Sequence, residues 1–282
     1  MIEYDASRDA LYQPGLRATL FQASRAPTRE QLAIEAARLA YYGYESGAAE
    51  LQRLKADLGL VGFADVQPFQ SGALVGAQGY AAFRAEDGTA LVAFRGTQPT
   101  KPADFGTNID IVPVRRDGVA GRVHRGFHRA FAVLHAQVSG WLAAHAQATK
   151  ELVLCGHSLG GAMAMVCAHH FKPAFLVTIG CPRAGDPDFV AALDGIAGRR
   201  IVNCADLVPL LPPPIFGYVH PARLTYIDKA GALHEAPAKE WVEADQAAGR
   251  CEYRDRYAWV DGAVELRDLA DHAPVNYARA YF

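Results

Sequence analysis

No apolar run in the chain reaches the roughly 18 residues needed to span a bilayer, so no transmembrane segment is expected. An excess of one charge is also missing. Lys and Arg number 28 against 30 Asp and Glu, for a formal net charge of −2. The longest charge cluster, Arg254-Asp255-Arg256, is short and mixed. Nucleic-acid binders carry a basic excess or a clustered basic face, so no nucleic-acid partner is expected. The cysteines, Cys155, Cys167, Cys181, Cys204 and Cys251, form no Cys-x-x-Cys pair and no metal-ligand spacing. Four of them sit in apolar stretches, where Cys behaves as a small hydrophobe, and Cys155 and Cys181 are expected as buried thiols. Residues Met1 to Arg8 lack a basic segment followed by an apolar one, so no signal peptide is read there. The compartment stays open between a secreted chain with its leader absent or removed and a cytoplasmic chain. Repeats, low-complexity tracts and a clear linker are missing too. What remains is 282 residues, 51% hydrophobic and 21% charged, long enough to bury a full core.

The apolar pattern alternates between two periods. Residues 29–46 place Leu32, Ile34, Ala37, Leu39 and Tyr42 at roughly helical spacing, with Thr28 as N-cap. A short helix is expected over Glu50 to Leu58. Gly79 to Arg84 and Ala90 to Arg95, joined by Glu86-Asp-Gly-Thr, read as a β-hairpin. Arg125 to Ala148 reads as one long amphipathic helix with Phe127, Phe131, Val133, Leu134, Val138, Trp141 and Leu142 toward the core. Strands are expected at Leu152–Cys155, Ala174–Gly180 and Arg200–Asn203, with a small-residue helix from Gly161 to Phe171. Strands alternating with helices predict an α/β fold with a mostly parallel, buried central sheet flanked by helices. One domain is expected over residues 1–282, with 1–70 as a helical lead-in. The Pro-rich stretch 212–221 reads as a surface loop. Residues 229–270 are the least regular part and are expected as a covering insertion.

The strongest chemical signal is Gly156-His-Ser-Leu-Gly160, a G-x-S-x-G pattern with an apolar strand before it and a small-residue helix after it. A tight strand–turn–helix leaves no room for side chains at Gly156 and Gly160, and it exposes the Ser158 hydroxyl above a helix N-terminus. Amides there favour developing negative charge. A Gly-rich turn that only packs a helix is the plain alternative. A serine nucleophile needs a base, and the base needs an orienting acid. After such an elbow the chain order is Ser, then Asp or Glu, then His. His169 and His170 are roughly 16 Å along the following helix, too far to serve. His234 has no supporting motif. His272, in a loop entering a final helix, and His220 both remain open as the base. Asp206 follows a strand and precedes Val208-Pro209, at a strand's carboxyl end where sites collect. Asp186, Asp188 and Asp194 read instead as turn and capping residues.

Six segments together resemble the class 3, fungal-type triacylglycerol lipases, a family of α/β-hydrolases. They are Phe94-Arg-Gly-Thr97, Val123-His-Arg-Gly-Phe127, Gly156 to Ala162, Gly180-Cys-Pro-Arg-Ala-Gly185, Asn203 to Pro213, and Asp271-His272 with Tyr277. They occur in the family's order over roughly residues 75–282. The resemblance implies Ser158 as nucleophile, Asp206 as acid and His272 as base, with His220 a pocket-side or structural histidine. It further implies an oxyanion hole built from the backbone N–H groups of Leu159 and Thr97, with Gly96 allowing close approach. The family carries a lid after Thr97. Here Pro99, Pro102 and Gly106 break the expected helix, Phe105 stands where the family has Trp, and Asp110 matches a later Asp. This departure speaks against lid opening of the usual kind.

The expected chemistry is two-step acyl transfer on a carboxylic ester, acylglycerols foremost, with no metal or cofactor. The expected partner is a lipid or small ester substrate, met by a lipase at a lipid–water interface. Short-chain carboxylesterase and feruloyl-type esterase are the enzyme alternatives, because function lives in the pocket. An inactive hydrolase fold used for binding is the non-enzyme alternative. Acyl length and oligomeric state are not legible in the sequence.

Overall fold

The computed structural model describes residues 2–43, 47–72, 76–97, 112–172 and 174–282. The segment expected to hold the lid, residues 98–111, lies outside the described residues.

The apolar runs of the central chain lie side by side in one twisted sheet. Its strands are β1 (Ala64–Gln70), β2 (Gln78–Arg84), β3 (Thr89–Phe94), β6 (Glu151–His157), β7 (Phe175–Ile179), β8 (Ala197–Asn203), β9 (Thr225–Ile227) and β10 (Leu233–Glu235), in that spatial order. The pairs from β3 to β9 are parallel, and the β1–β2–β3 and β9–β10 edges are antiparallel. The hairpin read from Glu86-Asp-Gly-Thr is the β2–β3 pair. Strands β4 (Pro113–Arg116) and β5 (Val119–His124) form a separate antiparallel pair.

Side chains of period two send β3 and β6 into two cores. Leu91, Ala93, Val153 and Cys155 face one core with α2 (Arg29–Leu39) and α3 (Ala48–Gly59). Ala90, Val92, Phe94 and Leu154 face the other, with α4 (Arg125–Ala132), α5 (His135–His145) and α6 (Leu159–His170). Thr28 caps α2 as expected: its hydroxyl accepts from Gln31 N, and the Gln31 side chain accepts from Thr28 N. Residues 14–21 wrap the outer side of α2, where the fully buried Arg38–Glu35 pair bonds the Ala18 carbonyl and Leu20 N. The lead-in is therefore built into the core, and it also contributes edge strand β1.

Three expectations need correction. The helix at 29–46 ends at Leu39, where i→i+3 bonds from Tyr41 and Tyr42 tighten the chain before Gly43. The single helix expected at 125–148 is two, broken at Val133-Leu134. The break lets Phe127 and Phe131 pack on α6 while Val138 and Trp141 turn toward the sheet; Val133 is exposed. The irregular stretch 229–270 holds α8 (Lys239–Arg256), an 18-residue helix. It is polar almost all round and buries Gly249 and Tyr253, so it has no apolar stripe to read. Short helices α1 (Arg8–Tyr12), α7 (Pro187–Ala191), α9 (Arg267–Ala270) and α10 (Pro274–Ala278) complete the described set. Helix α1 shares a small apolar cluster with Tyr253, Val264 and Leu269. Among the described residues no helix is long and apolar enough to cross a membrane.

Candidate active site

Of the three residues expected as nucleophile, acid and base, two follow strands of the sheet and the third lies in a loop between two short helices. Ser158 sits between β6 and α6 with φ 58° and ψ −129°, a backbone shape that non-glycine residues avoid. The turn is held because Ser158 N donates to Ile179 O, and because its flanks are bare. A Cβ at Gly156 would overlap the Gly160 backbone, and one at Gly160 would overlap the Phe94 carbonyl. Ser158 is mostly buried at the start of α6, whose first amides have no acceptor within the helix. Leu159 supplies the first of those amides.

Asp206 follows β8, and His272 lies between α9 and α10. Their side chains meet: His272 Nδ1 and Asp206 Oδ2 are 2.8 Å apart, and both residues are buried. A carboxylate only accepts, so Nδ1 carries the hydrogen and Nε2 is the basic nitrogen. Asp206 also accepts from the Tyr277 hydroxyl at 2.5 Å and from Val208 N at 2.9 Å. Burial, reinforced by the Asp206 charge, raises the Tyr277 phenol well above its usual range, so it stays a donor. Gly180 gives this pair room, since a Cβ there would press on Asp206 Oδ2 and the His272 ring. Thr97 is exposed just past β3. Gly96 before it is buried, and a Cβ there would run into Ser158 Cβ, the His157 carbonyl and the Tyr41 hydroxyl.

Residues 91–216 match the profile of the family described as lipase (class 3). A lipase of Rhizomucor miehei is 33% identical over 146 residues, 47% of this chain and 40% of that one. A secreted mono- and diacylglycerol lipase of Fusarium solani is 37% identical over 132 residues, 43% of this chain and 39% of that one. Lipase II of Rhizopus niveus superposes with a TM-score of 0.57 at 26% identity, covering 71% of this chain and 79% of that one. The chain is similar to the class 3 lipases over residues 91–216. It spans about two fifths of the length of the curated relatives it matches. The sheet and its helices are the α/β-hydrolase fold expected of that family.

The second histidine left open, His220, does not approach the Asp206 carboxylate as His272 does. Its Nε2 donates to Pro209 O at 2.7 Å, and burial, with Arg200 nearby, lowers its pKa to about 3. His234 pairs with Asp228, and Asp186 caps α7 through Phe189 N. All five cysteines are free; four are buried, as expected, and Cys251 is exposed. Burial pushes the thiols of Cys181 and Cys204 up to about 12.

Two residues around the site escaped the sequence reading. His157 is fully enclosed, with its ring 4.4 Å from that of His272, centroid to centroid. Its Nε2 is 2.8 Å from the His272 backbone carbonyl, and its Nδ1 is 2.6 Å from the Tyr41 hydroxyl. The carbonyl only accepts, so Nε2 must donate and Nδ1 must accept from Tyr41. Burial, then the neighbouring His272, holds His157 well below the usual imidazole range, hence neutral. The end of α2 is thereby tied to the nucleophile turn and to the His272 loop. The only local trace of this is the aromatic run Tyr41-Tyr42-Gly-Tyr after the first long helix.

Proposed function

We propose that the chain is a serine hydrolase that cleaves carboxylic esters, acylglycerols foremost, by Ser-His-Asp acyl transfer. The observation that carries this is the 2.8 Å bond between two buried groups, His272 Nδ1 and Asp206 Oδ2, with Asp206 past the carboxyl end of β8 as the strained Ser158 elbow is past that of β6. Further support is the family match, and a neighbour described as having a serine protease triad at the catalytic centre of a triacylglycerol lipase, 25% identical with a TM-score of 0.55. The same reading takes residues 1–282 as one hydrolase domain, because α2 packs on β6 and β7 and α10 sends Tyr277 to Asp206.

In this mechanism Ser158 Oγ attacks the ester carbonyl carbon while His272 Nε2 takes its proton. The carbonyl oxygen becomes an oxyanion held by the backbone N–H groups of Leu159 and Thr97, each such donor worth about 3 kcal/mol. Collapse breaks the bond to the alcohol oxygen, which His272 protonates as it leaves. Water then repeats the sequence on the acyl-enzyme, releasing the acid and restoring Ser158. Asp206 fixes the imidazole tautomer and balances its transient charge, and Tyr277 and Val208 N hold Asp206 in place.

Ser158→Ala tests this reading. Hydrolysis of p-nitrophenyl esters and labelling by a fluorophosphonate should both vanish while the thermal melt is kept. Activity above a few per cent of the parent would overturn the assignment. An ester series from acetyl to palmitoyl then separates a lipase from a short-chain esterase.

A further inference from the structure

Behind the His272 loop, a cavity of about 290 Å³ opens between the N-terminal segment, the β9–β10 turn, α8 and α10. Its walls carry Lys229, Arg256, Arg267 and Arg279 against one carboxylate, Glu252. Two of these cations are balanced. Lys229 pairs with Glu252, and Arg267 Nε bonds Asp271 Oδ2 at 2.9 Å. The other two have no carboxylate that close: among the described residues neither Arg256 nor Arg279 has one within ion-pair distance, and Asp271, already bonded to Arg267, acts on Arg279 only from farther away.

Arg279 is the telling residue. It is only 8% exposed, and its Nε is buried without a hydrogen-bond partner. Its Nη2 reaches the Asp228 and Lys229 carbonyls at 3.3 and 3.4 Å, both long for a charged donor. Burial pulls its pKa below the usual guanidinium range. A buried cation that shares its nearest carboxylate with another arginine is costly, and folds keep such groups where something pairs with them. The ring of Tyr4 lies 4.8 Å from the Arg279 guanidinium and 5.5 Å from that of Arg267, and Tyr257 lies 5.0 Å from Arg256. These faces soften the repulsion between cations. They give Arg279 Nε no acceptor and leave the surplus of positive charge in place.

We propose that this cavity binds a phosphate group, carried by inorganic phosphate or by a small phosphate ester, on Arg279 from inside and Arg256 from the rim. Two guanidinium groups without a bonded carboxylate suit an anion, and guanidinium forks suit phosphate oxygens. The site is separate from the Ser158 elbow and does not depend on the proposed hydrolysis.

Calorimetric titration of the full chain at constant ionic strength tests it, with sodium phosphate and glycerol phosphate as ligands and sodium chloride as control. Saturable binding of phosphate is expected, weakened at least tenfold in Arg256→Ala and in Arg279→Gln. Arg256 is exposed on α8, so Arg256→Ala carries the test even if Arg279→Gln fails to fold. Arg223→Ala, at an exposed arginine beside β8, should bind like the parent. Binding of glycerol phosphate alone would assign the site to esters, and binding of both would assign it to the phosphate group itself. Equal affinity in the parent and Arg256→Ala, equal loss in Arg223→Ala, or no saturable binding of either ligand would overturn the proposal.

Discussion

Asp206 and Asp271 are both buried, and their described bonds are alike in number. Asp206 accepts from His272 Nδ1, the Tyr277 hydroxyl and Val208 N. Asp271 accepts from the Tyr4 hydroxyl, Ala205 N and Arg267 Nε. The two carboxylates also cross-link the same pair of segments. Asp206 reaches forward to His272, Asp271 reaches back to the residue before Asp206, and Asn203 Nδ2 bonds the Asp271 carbonyl. The difference lies in which donor can give up its proton. Guanidinium does not deprotonate in proteins, so Arg267 can only hold Asp271. Imidazole can pass a proton on, so the contact to Asp206 can take part in a reaction. Burial and hydrogen-bond number alone would not tell the two apart.

The sharpest way to break this comparison is to neutralise each carboxylate in turn. On the proposed reading, Asp206→Asn should lower ester turnover by on the order of 10⁴-fold, because the imidazole loses its tautomer lock and its counter-charge. Its thermal melt should stay close to the parent's. Asp271→Asn should do the reverse. It leaves Arg267 buried without its carboxylate, at a cost of about 3–5 kcal/mol in urea unfolding. Turnover per folded molecule should survive within about tenfold. Adding Arg267→Met should return part of that stability, since the uncompensated cation goes with it. If Asp271→Asn melted normally and lost its activity, the two carboxylates would have been assigned the wrong way round.

The parts of this junction that were legible are those set by neighbours in sequence. Gly156, Ser158 and Gly160 are three positions of one turn, and Asp206 stands just past its own strand. The choice between His272 and His220 was not local, because the base reaches the acid across 66 positions. It took the Asp271-His272 and Tyr277 motif to separate them. His157 and Tyr41 were missed for the same reason, their contact spanning 116 positions. Helix α8 was illegible for a different one: it buries too little apolar surface to print a period. The break at Val133-Leu134 is decided by two cores that a single helical stripe cannot serve at once.

A finer cut compares Asp206 with its own partners. Tyr277→Phe removes the 2.5 Å donor to Asp206, together with the hydroxyl's contact to the Asn203 backbone. A hydrogen bond to a charged group is worth about 1.5–3 kcal/mol, so kcat should fall at least tenfold while KM holds. An unchanged kcat would mean that Val208 N and His272 alone fix the carboxylate.

The mildest test sets His272 against the histidines that do not exchange protons. His157, His169 and His220 are all held neutral. Burial is the main cause in each, helped by His272, by Lys172 and by Arg200 respectively. His169 is lowered to about 4 and His220 to about 3. Unfolded imidazole titrates near about 6.5, so below that pH the unfolded chain binds protons that the folded chain refuses. Their contribution to stability is therefore complete above about pH 6.5 and is lost as pH falls toward about 4. The slope is at most about 1.4 kcal/mol per pH unit for each histidine. The melting temperature should be level near neutrality and decline through that window, and His220→Asn should make the decline shallower. A melting temperature as high near pH 4.5 as near neutrality would mean that these rings take up protons in the folded protein, and the neutral Tyr41–His157–His272 chain would have to be redrawn.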